Sequence, residues 1–97
     1  MKRDYVIEIL GGHAEELSAG HGVRSIMLFG SVARDEAATA SDVDLLVTFE
    51  RPPGFDGYMS LKFRLEELLG CRVDLVMDGA LKPEARPIVE QEAIRVA

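Results

Sequence analysis

LFGSVARDEAATASDVDLLV, residues 28–47, decides how this chain is read. It opens on the end of a short apolar run, 24–29 (RSIMLF), that closes at Gly30. It ends inside a second run, 43–49 (VDLLVTF). Apolar runs of this length bounded by turn residues predict buried strands. Between them stand Gly30–Ser31 and, after a gap of ten residues, Asp42 and Asp44. Side chains alternate along a strand, so Asp42 and Asp44 fall on one face, with Cα atoms about 6–7 Å apart. Asp74 holds a similar place in a third run, 72–77 (RVDLVM). With that strand beside the second in suitable register, three carboxylates gather at one place on the sheet.

Converging carboxylates raise one another's pKa unless a positive group neutralises them. Hard divalent cations prefer oxygen ligands, and Mg²⁺ takes one or two carboxylates together with phosphate oxygens. The acid cluster therefore predicts a Mg²⁺-nucleotide rather than a bare anion. Gly30–Ser31 supplies the complementary half. Glycine lets the backbone approach a phosphate closely. A short helical turn around Val32–Asp35 aims its N–H groups at the same place, and the Ser31 hydroxyl adds a donor. Arg34 offers charge-assisted bonds to phosphate if it turns inward. The chain contains neither GxxxxGK[ST] nor GxGxxG, so it uses neither of those phosphate-binding routes.

Outside this stretch, Val6, Ile7, Leu10, Ala14 and Leu17 recur at helical spacing and predict a helix over 3–21, although Gly11–Gly12 lies in its middle. Residues 50–57 (ERPPGFDG) read as a loop, and Leu61, Leu65, Leu68 and Leu69 mark a helix over 58–69 closed by Gly70. A last helix is expected over 83–96 with Ile88, Val89, Ala93 and Val96 inward, its start drawn toward Pro87 by the missing N–H there. The order α-β-turn-β-α-β-α predicts an α/β (α+β) domain with about three strands flanked by helices. The helix between the second and third strands suits a parallel crossover. Residues 30–42 suit either pairing of the first two strands.

Ninety-seven residues predict one domain, 1–97, with room for one core. A 47% hydrophobic content suits a globular fold, and a net charge of −6 argues against coating nucleic acid or an anionic membrane. One cysteine, Cys71, and two histidines, His13 and His21, leave no disulfide framework and little for a His- or Cys-based metal centre. No signal peptide and no apolar run of about 20 residues is present, so a cytoplasmic location is expected.

Gly30-Ser31-(ten residues)-Asp42-Val43-Asp44 resembles the GS-x10-DxD pattern of the polymerase-β-like nucleotidyltransferases. FGSVAR, SDVDLLV, LEELLGCRVDLV and the ending ALKPEARPIVEQEAIRV look like their minimal, MNT, group, and the resemblance covers nearly the whole chain. It implies a small mixed sheet. It implies two Mg²⁺ ions held by Asp42, Asp44 and Asp74, with Asp74 as the base and Gly30 and Ser31 on the triphosphate. It implies transfer of AMP from ATP to a protein hydroxyl. MNT proteins pair with HEPN ribonuclease toxins as antitoxins that adenylylate a toxin tyrosine, so the resemblance also implies a HEPN partner. A chain this small leaves the acceptor site to a second chain, either that partner or another copy.

Blander readings stand beside these. Asp74 can pair with Arg72 or Arg64, and Arg34 can be an exposed turn residue. Glu66, Glu67, Glu90 and Glu92 read as solvated helix faces. Ser31 lacks the GxSxG setting of a hydrolase nucleophile. Two rival functions remain: an antitoxin that masks its HEPN partner by contact, with Ile88 to Val96 as an apolar docking patch, and nucleotidyl transfer to a small molecule or an RNA end.

Overall fold

The computed structural model describes residues 1–36 and 42–97. The second half of the ten-residue gap, 37–41, lies outside them. In chain order the elements are α1 (Arg3–Gly12), α2 (Ala14–His21), β1 (Val23–Phe29), α3 (Gly30–Ala33), β2 (Val43–Phe49), α4 (Gly54–Leu69), β3 (Val73–Met77), a 3₁₀ turn (Asp78–Ala80), α5 (Arg86–Glu92) and β4 (Ile94–Arg95). The four strands form one sheet in the order β3-β2-β1-β4. β2 and β3 run parallel, as the intervening helix requires, while β1 is antiparallel to both β2 and β4. The fold is the expected mixed α/β arrangement with one strand more than the sequence announced.

Alternation along the strands gives the sheet two unlike faces. On one, Ile26 and Leu28 of β1, Val43, Leu45 and Val47 of β2, and Val73 and Leu75 of β3 join a single core. Val6, Leu10 and Leu17 from α1 and α2, and Leu61, Leu65 and Leu69 from α4, cover them. Each such leucine contributes about 1.5–3 kcal/mol by leaving water. The other face carries Asp44 and Asp74, and it is where the chemistry-bearing residues lie.

Four expectations are corrected. The helix expected over 3–21 is two helices, broken at His13 (φ −114°, ψ 13°) just after Gly11–Gly12. Leu10 and Leu17, now on separate helices, are both fully buried. The loop expected over 50–57 ends at Pro53, and α4 begins at Gly54. The helix expected over 83–96 is only α5, Arg86–Glu92, with Pro87 accommodated in its first turn. Within it Val89 is buried, but Ile88 is 63% exposed instead of facing inward. Beyond it the backbone extends from Ala93, and Ile94–Arg95 pairs with Leu28 and Met27. Val96 N–H donates to the Ile26 carbonyl, and Ile26 N–H donates to the Ala97 carbonyl. Without β4, one edge of the buried strand β1 would leave its backbone groups unpaired, at a cost comparable to a lost hydrogen bond each.

Candidate active site

β1 ends where β2 and β3 begin, so the three strands deliver their termini to one edge of the sheet. The register is Phe29 opposite Asp44 and Asp44 opposite Asp74. Parallel neighbours in register put both carboxylates side by side on the open face. Asp42, one residue before β2, lies close enough that its charge acts on Asp44. It also makes an ion pair with Arg72, Oδ1 to Nε 3.4 Å. Arg72 is therefore the partner of Asp42, not of Asp74, and Arg64 is taken by Glu16 and Glu67.

Asp44 shows what this crowding does. Its pKa is raised from 3.8 to about 6. Burial is the largest cause, followed by the Asp74 charge, a hydrogen bond with Asp74 and the Asp42 charge; Arg34 pulls in the opposite direction. A divalent cation between these oxygens reverses the repulsion, and the donor set is the all-oxygen one that Mg²⁺ prefers. Asp44 and Asp74, side by side in register, offer that donor chemistry, and Asp42 adds its charge beside them. Among the described residues no group of three or more acidic, histidine or cysteine side chains is placed to hold a metal ion, and Asp42 pairs with Arg72 instead.

Gly30 lies directly over Asp44. Its φ is +77°, and a Cβ placed on it would come within 2.1 Å of Asp44 Oδ2. Any side chain here meets both a disfavoured backbone and the carboxylate. Ser31 follows in the first turn of α3, which starts at Gly30 itself, two residues before the expected turn. The first N–H groups of a helix have no preceding turn to bond.

Arg34 and Glu92 complete the picture. The Gly30 N–H donates to Glu92 Oε1 at 2.9 Å, and Arg34 Nη1 donates to Glu92 Oε2 at 2.7 Å. Arg34 Nε also lies 3.6 Å from Glu36. The Arg34 guanidinium, and then the Gly30 N–H, hold the Glu92 carboxyl below its ordinary pKa against the effect of burial. Glu92 is therefore no solvated face: its side chain is 17% exposed. No sequence pattern marks it, because only the pairing of β4 with β1 brings the end of α5 over Gly30. Glu66 likewise accepts from the Val73 N–H, at 3.0 Å.

A concavity of about 560 Å³ lies elsewhere. Phe49, Pro52, Pro53 and Met77 line it at the far ends of β2 and β3, the ends opposite Asp44 and Asp74. Charge and geometry, not cavity size, mark the candidate site.

The nucleotidyltransferase-domain family matches residues 10–96 of this chain. The chain belongs to that family. Over 88 residues it is 47% identical to the protein adenylyltransferase MntA of Thermococcus cleftensis, covering 91% of this chain and 89% of that protein. A solved structure described as a minimal nucleotidyltransferase superposes with a TM-score of 0.80 at 41% identity, over 97% of this chain and 95% of that one. The chain is thus a nucleotidyltransferase of the minimal, MNT, group. A chain of the complex between a tri-AMPylated Shewanella oneidensis HEPN toxin and an MNT antitoxin matches with a TM-score of 0.66 at 18% identity, over 94% of this chain and 71% of that one. That likeness is one of fold. No helix among the described residues is long and apolar enough to cross a membrane.

Proposed function

We propose that residues 1–97 act as one minimal domain that transfers AMP from ATP to a hydroxyl of a partner protein. The acceptor is a tyrosine of a HEPN ribonuclease toxin, and the chain is its antitoxin. The observation that carries this reading is the in-register facing of Asp44 and Asp74 beneath Gly30. The 47% identity to a protein adenylyltransferase across nearly the whole chain supports the donor and the class of acceptor.

In this reading Gly30, lacking a side chain, lets the triphosphate approach the turn, and the Ser31 N–H and hydroxyl hold it, with Arg34 adding positive charge beside them; the Gly30 N–H itself is kept by Glu92. Asp42 and Asp44 would hold Mg²⁺, two ions in all, with Asp74 as the third ligand. When bound, the ions stabilise charge on the reacting oxygens. Asp74, exposed at the open face, takes the proton of the acceptor hydroxyl. The acceptor oxygen bonds to the α-phosphorus, the bond to the bridging oxygen breaks, and pyrophosphate leaves. The open face of the sheet leaves space for the acceptor chain. The far-end cavity takes no part.

Incubation with α-labelled ATP, Mg²⁺ and the product of the neighbouring reading frame tests this. We expect label on that protein, and a rate at least about a thousandfold lower for the Asp42→Asn/Asp44→Asn double variant. No label on any protein from the folded wild type would end the proposal. Protection of the toxin that survives this double variant and needs equimolar protein would instead assign the chain to masking by contact; of the expected patch Ile88 is exposed while Val89 and Val96 are buried.

A further inference from the structure

We infer that Glu92 is a positioning residue for nucleotide binding: its one carboxylate fixes both the Gly30 turn and the Arg34 guanidinium in the orientation that receives phosphate. The inference rests on the reading that Gly30, Ser31 and Arg34 hold the triphosphate. Four observations carry it. The two oxygens of Glu92 are divided, Oε1 to the Gly30 N–H at 2.9 Å and Oε2 to Arg34 Nη1 at 2.7 Å. The two groups so bridged belong to the short turn that carries Ser31, Gly30 just before it and Arg34 at the end of α3. The carboxylate is mostly shielded, whereas Arg34 is 45% exposed, so the contact costs the arginine little of its access to an incoming anion. Finally, the positive charge of Arg34 is felt at Asp44, which places it on the side of the acid cluster.

A guanidinium carries five N–H donors in a rigid fork. One bond to Glu92 leaves donors for phosphate while removing most of the rotamer freedom that binding would otherwise have to quench. Arg34 has a second carboxylate neighbour in Glu36, 3.6 Å from its Nε, so the Glu92 bond is what fixes which donors stay free. Glu92 reaches both partners because α5 ends there and β4 is hydrogen-bonded to β1 immediately afterwards. The last strand of the sheet thus has a role in ligand binding without touching ligand.

The test is a double-mutant cycle read by calorimetry with Mg²⁺ and α,β-methylene-ATP, an analogue that cannot transfer AMP. Glu92→Gln keeps the shape and an acceptor for Gly30 but removes the charge that holds Arg34. We expect it to bind the analogue about tenfold more weakly, with its melting temperature within a few degrees of wild type. Arg34→Gln should weaken binding at least as much, and the double variant should be no weaker than Arg34→Gln alone, because Glu92→Gln keeps the bond to Gly30 and loses only its hold on Arg34. In the transfer assay the Glu92→Gln loss should fall on KM for ATP and leave kcat within about twofold. A purely structural role would lower the melting temperature and leave the affinity of the folded protein unchanged. If Arg34→Gln weakens binding and Glu92→Gln does not, the inference is wrong and the proposed function stands. If Glu92→Gln binds more tightly, the carboxylate is a competitor for phosphate and the inference is again wrong. If Arg34→Gln has no effect, the phosphate role of Arg34 falls and the inference with it. Should Glu92→Gln not fold, Arg34→Lys carries the same test, because an ammonium lacks the fork that reaches Glu92 and phosphate together; wild-type affinity for it would overturn the inference.

Discussion

The two faces of the sheet are built from alternate residues of the same strands, yet they obey opposite rules. On the covered face Val43, Leu45 and Val47 are fully buried against α1, α2 and α4. Nothing polar enters: no polar or charged residue is buried among those described. On the open face the neighbouring residue, Asp44, is half-buried beside two more carboxylates and titrates near pH 6. One face lowers the free energy of the fold; the other stores electrostatic repulsion that a cation can relieve. A one-residue slip of β2 would exchange the two. Stability and function are thus separable by parity along a strand, and substitutions can show it.

Leu65 of α4 belongs wholly to the covered side and is fully buried. Leu65→Ala should cost about 2–5 kcal/mol in urea unfolding. The folded protein should keep its affinity for the ATP analogue, measured well below the melting temperature. A loss of affinity matching the loss of stability would break the separation of the faces.

Gly30→Ala sharpens the comparison from the other side. The backbone at φ +77° should cost about 1–2 kcal/mol of stability. The added Cβ, placed at 2.1 Å from Asp44 Oδ2, should displace the carboxylate and reduce AMP transfer about a hundredfold. Full activity in this variant would mean that the contact between Gly30 and Asp44 is irrelevant to the chemistry.

The smallest effect is the most diagnostic. Because the folded-state pKa of Asp44 lies above its ordinary value, the protonated form favours folding. That contribution is complete below about pH 4, fades as pH rises through about 6, and is absent above it. Asp44→Asn, which is neutral throughout, should therefore be more stable than wild type by about 1–2 kcal/mol at pH 8 in chelator, after allowance for solvent screening. The difference should vanish below about pH 4. Urea unfolding of both proteins across this range measures it, and a variant less stable than wild type at pH 8 would show that the open face carries no repulsion.

The candidate site was legible early because its residues follow from local spacing. Gly30, Ser31, Asp42 and Asp44 sit within one turn–strand unit, and Asp74 repeats the strand-start position of Asp44 in the neighbouring strand. Apolar runs located β1, β2 and β3 to within a residue, since a buried strand needs unbroken apolar residues on at least one face. Glu92 was illegible: EQEAIRV carries the composition of a helix end, and nothing local distinguishes a solvated glutamate from one bonded to a backbone N–H 62 residues away. The break at His13 was visible only as a weakness at Gly11–Gly12, since glycine lowers the cost of a kink without dictating one.

The sequence alone determined which residues carry charge into the site and which carry apolar surface into the core, because both follow from residue type at strand and helix periods. Tertiary structure decided the rest: the antiparallel pairing of β1 with β2, the conversion of Ile94–Arg95 from helix to strand, and the delivery of Glu92 to Gly30. Each of these satisfies backbone groups or charges that lie far apart along the chain. Local propensity has no access to such pairings, and they are settled only when the sheet closes on its last edge.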